Sequence, residues 1–301
     1  MADRGRERVT WWLFLLPALC YLLLFFGYPL VKNVTMGFQR YTVTTFYTGD
    51  APFVGLRNYA EVLLSDAFRR ALLTTVLFTA GSVLGQFVLG LALALFFRRS
   101  FPLGTLLRSL LLLPWLLPLV VSGTTWKWML DTDTGVVNRA LRDLHLVSSD
   151  VPWLTGTSEA LVSVILVNVW VGVPFNTAIL YGGLQDVPAE LYEAAELDGA
   201  GRWAAFRHIT WPLLRPVAGV VLVLGVIYTV KVLDIVLVVT GGGPAGATQT
   251  LAVQSYDLSF QRFEFGRGAA TGNVLIVLSL LFALVHLRAG RRARDARGVV
   301  R

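Results

Sequence analysis

Six long apolar runs constrain what this chain can fold into: Trp11–Val31, Ala71–Phe97, Thr105–Trp126, Ala160–Leu184, Pro212–Val239 and Ala269–Leu287. A helix needs about 20 mostly apolar residues to cross the hydrocarbon core of a bilayer. The expected fold class is therefore an all-α integral membrane protein with six transmembrane helices and a polar loop between helices 4 and 5. Pro114 and Pro118 should kink the third run, and a membrane helix tolerates both. Charged residues make up 15% of the chain and mean hydropathy is +0.64, whereas soluble domains carry roughly a quarter charged residues. The first run is long enough to span and no cleavage site follows it, so it is expected to be retained.

The net charge of +7 does not describe a nucleic-acid face, because the arginines stand mostly at the ends of apolar runs, where they carry topology information. With the N-terminus inside, the inner segments hold fifteen Lys and Arg and the outer loops ten, with Lys231 within the fifth run. The arginine-rich tail from Arg288 and the short loop holding Arg98, Arg99 and Arg108 favour this orientation. Both termini are expected in the cytoplasm.

One polar stretch interrupts this apolar chain: YEAAELDGAGRWAAFRHITWPLLRP, Tyr192 to Pro216. Asp186 can cap a helix whose first turn suits Pro188. Glu190 and Glu193 then sit near its positive end, and Leu191, Ala194 and Ala195 give it a small, mildly apolar face. Gly199 permits a left-handed C-terminal turn. Trp203, Phe206 and Ile209 share one side of a second short helix, and Pro212 opens the next span. Such a pair of helices fits an amphipathic segment lying in the headgroups. It also fits a dock for a protein, with small residues allowing close approach and charges fixing register. Acids outnumber bases between Asp186 and Asp198, which anionic lipid would repel.

The residues of this stretch resemble those of binding-protein-dependent ABC importer permeases, whose cytoplasmic loop reads E-A-A, three residues, G, nine residues, I, one residue, L-P. Here stand Glu193-Ala194-Ala195, Gly199 and Ile209 at that spacing, then Trp211 in place of leucine, then Pro212. Pro188, Glu190, Leu191, Tyr192, Asp198, Ala200, Trp203, Phe206 and Pro216 look like the carbohydrate branch of the family. Phe53–Tyr59 (FVGLRNY) and the Thr240–Pro244 loop (TGGGP) with Ala247-Thr248 resemble further segments of sugar permeases, so the likeness runs from about Leu13 to Leu287.

The resemblance implies a cytoplasmic tail over 1–10, a six-helix permease domain over 11–287 with its coupling loop at 186–211, and a basic cytoplasmic tail over 288–301. It implies that Glu193, Ala194, Ala195, Asp198, Gly199, Ala200, Trp203, Phe206 and Pro212 dock a cytoplasmic ATPase. Other implied partners are a second, homologous permease forming a heterodimer, an extracytoplasmic sugar-binding protein on outer loops that include Asp131–Trp153 and Gly241–Gly266, and membrane lipid; nucleic acid is not among them. ATP is used by the ATPase and this chain needs no cofactor. The implied function is half of the pore of an ATP-driven carbohydrate importer working by alternating access, as a multi-pass protein of a prokaryotic cell membrane.

Several motifs suggest chemistry and fail on inspection. Asp131-Thr-Asp133-Thr-Gly135 contains the D-T-G of aspartic proteases, but such an enzyme needs two convergent carboxylates, and Asp and Gly are ordinary turn residues. Gly241-Gly-Gly243-Pro lacks the lysine and hydroxyl residue of a phosphate loop. His145, His208 and His286 are scattered and Cys20 is alone, so neither a metal site nor a disulfide is expected. No catalytic residue is assigned. The intramembrane polar residues are a separate matter. Lys231 and Asp234, three apart in the fifth run, should face one side, either as an ion pair or as the wall of a path. Asn168, Trp170 and Asn176 of the fourth run, Tyr228 of the fifth and Asn273 of the sixth are the other path candidates, although each alone suits helix packing. Two rivals differ in class. An intramembrane enzyme on a lipid-linked sugar needs a convergent catalytic set. An ATPase-independent channel or secondary transporter leaves the E-A-A spacing without a purpose.

Overall fold

In the computed structural model, which describes residues 2–99 and 101–298, regular structure is helical, and the β contact among the described residues is an isolated antiparallel bridge between Gln39 and Phe53. Met1 and residues 299–301 of the two expected tails lie outside the described residues. Five helices are long and apolar enough to cross a membrane: Trp11–Gly37, Asp66–Phe97, Thr157–Gln185, Arg202–Val230 and Phe265–Val285. The third expected span is instead a pair, Gly104–Leu116 and Leu119–Met129, bent by 95°. Pro118 causes the break. A proline disfavours helical backbone in the residue before it, and Leu117 is extended at φ −73° and ψ 142°.

The fifth span departs from expectation at both ends. It begins at Arg202, ten residues before Pro212, so the second short helix of the polar loop is the start of the span itself. Pro212 offers no N–H to His208 and its ring crowds that carbonyl. A π-helical turn over Phe206–Thr210 absorbs the conflict without ending the helix. The same arrangement occurs in the first span, where the π turn Leu23–Gly27 precedes Pro29. At its far end the fifth span stops at Val230, and a separate helix starts at Asp234. Lys231 and Asp234 therefore do not share a face of one helix, and among the described residues no ion pair joins them.

The chain folds as two units, Met1–Phe68 with Gln254–Val274, and Arg69–Val253 with Leu275–Arg301. In the larger unit, glycines set the approach of the second and fourth spans. A Cβ on Gly81 would meet Ile165 at 3.0 Å, one on Gly85 would meet Val169 at 2.7 Å, and one on Gly90 would meet Asn176 at 2.7 Å. Both chain numbers rise together along the contact, so the two spans run parallel. The fifth span packs antiparallel to the fourth: Gly183 faces Val217, while Phe175 meets Tyr228 at the other end. Two apolar clusters fill the unit. Phe78, Val164, Val167, Ile235, Val236 and Val239 form one; Ala94, Leu180, Leu184, Leu214, Ala218 and Val221 form the other.

In the smaller unit, Asn58 and Tyr59 of the Phe53–Tyr59 stretch act as clamps. Asn58 Nδ2 donates to the carbonyls of Gly37 and Gln39 at 3.0 and 2.9 Å. Asn273 Nδ2 donates to the Tyr59 hydroxyl at 2.9 Å, and Asn33 Nδ2 donates to Asn273 Oδ1 at 2.8 Å. A Cβ on Gly37 would meet the Tyr59 ring at 3.1 Å, which is why the first span ends in glycine. Glu61 accepts from Arg57 Nε at 2.8 Å and from Arg267, which also bonds Glu264.

The Arg57 hydrogen bond, followed by that from Arg267, holds the Glu61 carboxyl below the ordinary carboxylate range. A folded-state pKa below the unfolded one gives stability that is full above the ordinary range and is lost as pH falls through the folded value. Thermal unfolding of the reconstituted chain is thus expected to worsen on acidification below the usual carboxylate range, and Glu61→Gln should flatten that part of the profile. Identical acid limbs in the two proteins would refute this role for Glu61.

Candidate functional site

The polar loop is built from the backbone outward. The fourth span ends at Gln185 with Asp186 as its C-cap, and Pro188, not Asp186, is the N-cap residue of the short helix Ala189–Leu197. Its fixed φ and missing N–H suit Pro188 to the start of a helix, and it leaves Asp186 to close the preceding one. The short helix ends as the glycine predicted. Gly199 stands at φ +75°. Its N–H donates to Glu196 O at 3.0 Å, and that of Ala200 donates to Ala195 O at 2.8 Å, the two bonds of a Schellman turn. No atom lies within 4 Å of a Cβ built on Gly199. The backbone conformation, and not crowding within the chain, demands glycine there.

Two contacts fix this loop to the spans, and aromatic stacking stiffens the start of the fifth. The Tyr192 hydroxyl and Thr210 Oγ1 are 2.8 Å apart. The Arg98 guanidinium lies 3.9 Å from the centroid of the Tyr192 ring. Trp203 stacks on Phe206, which leans on Trp211. The outer face is left bare: Glu193, Ala194, Asp198 and Ala200 are exposed, Leu197 is 90% exposed and Trp203 71%. Ala195 and Phe206 are half-buried and Pro212 is exposed. The sequence did not single out Leu197 or Arg98. The three residues between Gly199 and Trp203 hide which side faces out, and the Arg98 contact is remote in sequence.

The path candidates do not form one group. Asn273 lies in the smaller unit and is spent on the Asn33 and Tyr59 bonds described above. Asn176 is buried and its Nδ2 donates to Gly172 O, one turn back, at 2.9 Å. Asn168 is buried; its carbonyl accepts from Gln86 Nε2 at 2.9 Å, while its own Nδ2 and the buried Ser82 and Thr79 hydroxyls have no hydrogen-bond partner among the described residues. Trp170 is half-buried and meets Trp126 edge to face. Tyr228, Lys231 and Asp234 cluster at the break after the fifth span. Tyr228 is 54% exposed, Lys231 Nζ lies 5.1 Å from its ring centroid, and Lys231 and Asp234 are both exposed.

The segments that suggested chemistry are turns. Asp131 Oδ1 accepts from the N–H and hydroxyl of Thr134 at 2.8 and 2.7 Å and from Asp133 N at 3.2 Å. The Thr134 backbone bond foremost holds this carboxyl below the ordinary range, which suits a turn acceptor and not a carboxyl that shares a proton. Among the described residues no three His, Cys, Asp or Glu converge on a metal position. Gly241 and Gly242 have φ +64° and +89°, and the buried Thr248 closes that loop by donating to Gly243 O at 2.7 Å.

Asn138 is an organising residue that sequence reasoning missed. It is 1% exposed, and its Nδ2 donates to the carbonyls of Thr132 and Val151. Its Oδ1 accepts from Val151 N and from Trp153 Nε1, the latter at 2.9 Å. One amide thus ties together the loop between the third and fourth spans. Its partners lie 6, 13 and 15 residues away, too scattered for a local pattern.

Comparison with known proteins adds to this geometry. A family model described as the binding-protein-dependent transport system inner membrane component matches residues 86–295. The trehalose/maltose transport system permease protein MalF of Thermococcus litoralis is 37% identical over 290 residues, 96% of each chain. The diacetylchitobiose uptake system permease protein DasB of Streptomyces coelicolor is 34% identical over 282 residues, covering 92% of this chain and 85% of that one. A chain of a bacterial ABC transporter involved in the import of the acidic polysaccharide alginate superposes with a TM-score of 0.83 at 23% identity, covering 97% of this chain and 98% of that one. At that identity the likeness is one of fold.

Proposed function

The chain belongs to the binding-protein-dependent transport system inner membrane components, and from that premise we propose that it forms half of the pore of an ATP-driven carbohydrate importer. It is a multi-pass membrane protein that carries solute and catalyses no reaction. The relatives named above serve trehalose or maltose and diacetylchitobiose, which supports a sugar or oligosaccharide as its cargo. Its partners on this reading are cytoplasmic ABC ATPase subunits, a second permease and an extracytoplasmic sugar-binding protein.

The observation that carries the reading is the bare helix Ala189–Leu197 joined by a Schellman turn to the fifth span. Glu193, Ala194, Asp198 and Leu197 present the dock, and Ala195, Gly199 and Ala200 set its turn. Trp203, Phe206 and Pro212 belong to the span that carries its motion. That span is continuous for 29 residues, about 43 Å at 1.5 Å per residue, and it ends at the Tyr228–Asp234 break. A push on the loop from a closing ATPase dimer therefore reaches Lys231 along one helix, with Asp234 opening the next. Charges at membrane depth face water or protein in preference to lipid, so Tyr228, Lys231 and Asp234 are assigned to the path, and Trp170 of the fourth span stays a candidate beside them. The buried Asn168 and Asn176 join it only if the second and fourth spans part. Asp234→Ala is expected to lower uptake at normal membrane levels; unchanged uptake would remove Asp234 from the path.

The parallel second and fourth spans support six crossings. A segment linking parallel spans crosses an odd number of times, and between residues 97 and 157 the bent pair is the one segment among the described residues apolar enough to do so. Both termini and the coupling loop then share a side, and the arginine bias assigns that side to the cytoplasm. The same reading divides the chain into a tail over 1–10, a permease domain over 11–287 and a basic tail over 288–301.

A gentle-detergent pull-down of the tagged chain, beside Gly199→Trp, tests the reading. The wild-type chain should bring down an ATPase and a second permease, and the variant should keep the permease and lose the ATPase. A wild-type chain that comes down alone would return the channel reading.

A further inference from the structure

We propose that the groove between the end of the second span and the start of the fifth holds the phosphodiester headgroup of an anionic phospholipid. The groove has a volume of about 800 Å³ and is lined by Leu95, Arg98, Arg99, Tyr192, Arg202 and Trp203, with Phe206 behind. That volume lies within the usual range for a small-molecule site.

Three guanidinium groups converge there without a counter-charge. Among the described residues none of them forms an ion pair with a carboxylate. Arg98 is held over the Tyr192 ring, which fixes its plane but leaves its charge unneutralised. Arg202 stands in the first turn of the fifth span, where the helix dipole disfavours a cation; an anion in the groove removes that conflict. The acidic residues of the loop, Glu190, Glu193, Glu196 and Asp198, are exposed and do not line the groove.

The walls select a lipid over a free anion. The second span ends at Phe97 and the helix of the fifth begins at Arg202, so the groove lies at the polar ends of two apolar helices. Arginine beside an open tryptophan is the usual side-chain pairing at headgroup level. Below the charges the wall becomes apolar through Leu95 and Phe206, a surface suited to the first methylenes of an acyl chain and of no use to inorganic phosphate. A bound lipid would brace the second span against the Tyr192–Thr210 contact, at the hinge of the coupling loop. This site stands on the groove alone and does not depend on which sugar is carried.

The test is the lipid retained by the assembled complex after extraction from nanodiscs of mixed phosphatidylglycerol and phosphatidylcholine, read by native mass spectrometry. The wild-type complex should retain phosphatidylglycerol in preference. Arg99→Gln with Arg202→Gln should lower the retained ratio by about 30-fold, the loss of two cations at an anionic surface. Arg99→Lys with Arg202→Lys keeps the charge and should keep most of the preference, which separates lost binding from lost folding. The single Arg99→Gln variant, whose side chain is exposed, gives an intermediate ratio. An equal ratio in wild type and both double variants overturns the proposal. So does displacement of the lipid by inorganic phosphate, which would mark a free-anion site, and so does a preference seen in the isolated chain that disappears once the ATPase is bound, which would mark a protein dock.

Discussion

Gly90→Leu is expected to cost the fold more than any single change on the lipid-facing side of the same helix. A Cβ at Gly90 would stand 2.7 Å from Asn176 Cβ, 3.2 Å from Thr177 N and 3.3 Å from the Asn176 carbonyl carbon. Two of these three atoms are backbone, so no rotamer change relieves the clash. Forcing extra carbons into a packed contact costs about 1–3 kcal/mol, and a backbone neighbour puts this case at the upper end. The expected result is a clear fall in folded chain recovered from membranes and in its thermal inactivation temperature. Leu89→Phe, next door but exposed, should leave both near wild type. If Gly90→Leu matches Leu89→Phe, the close parallel packing of the second and fourth spans is wrong, and the argument for six crossings weakens with it.

The second large effect is expected at Asn138→Leu. Leucine has similar bulk but cannot serve the Trp153 indole N–H, the Val151 amide or the Thr132 and Val151 carbonyls. Each polar group that stays buried without a partner costs about 1–3 kcal/mol, and those that reach water do so by opening the loop. A total loss of about 3 kcal/mol is expected. Its signature is local: faster proteolysis between Asp131 and Gly156 and a red-shifted Trp153 emission, with the polar loop at 186–211 unaffected. Because this segment is one expected docking surface for the sugar-binding protein, uptake should fall more than the membrane level of the chain does. A loop as protease-resistant as wild type would show that Asn138 does not organise it.

The E-A-A turn was legible in the sequence because its signals are local. Gly199 must reach positive φ, and the residues that close the turn, Ala195 to Ala200, lie within one turn of it. Fold class was legible for a related reason. Long apolar runs have one stable answer in a bilayer, and it does not depend on neighbours. The glycine loop at 241–243 and the Asp131 turn belong to the same kind, since backbone and near side chains settle them.

Where two distant segments had to meet, the sequence was silent or misleading. Pro212 read as the opening of the fifth span, yet a π turn carries that helix through from Arg202, and Leu214, Ala218 and Val221 pack with Leu180 and Leu184 of the fourth span. The three-residue spacing of Lys231 and Asp234 placed them on one face, and the helix breaks between them. Asn273 read as a path candidate or a packing residue, and its bonds to Tyr59 and Asn33 were hidden because both are far away in the chain. What the sequence by itself determined is which segments are apolar enough to enter the membrane, how the E-A-A turn is made, and which family of transporter components the chain resembles. Only the tertiary structure decided that the second and fourth spans run parallel, that Asn138 and Asn58 are the ties, and that three arginines from two segments share one groove. The division is physical. Transfer into lipid and backbone strain are properties of a few consecutive residues, whereas close packing and hydrogen-bond partnership belong to pairs that only folding brings together.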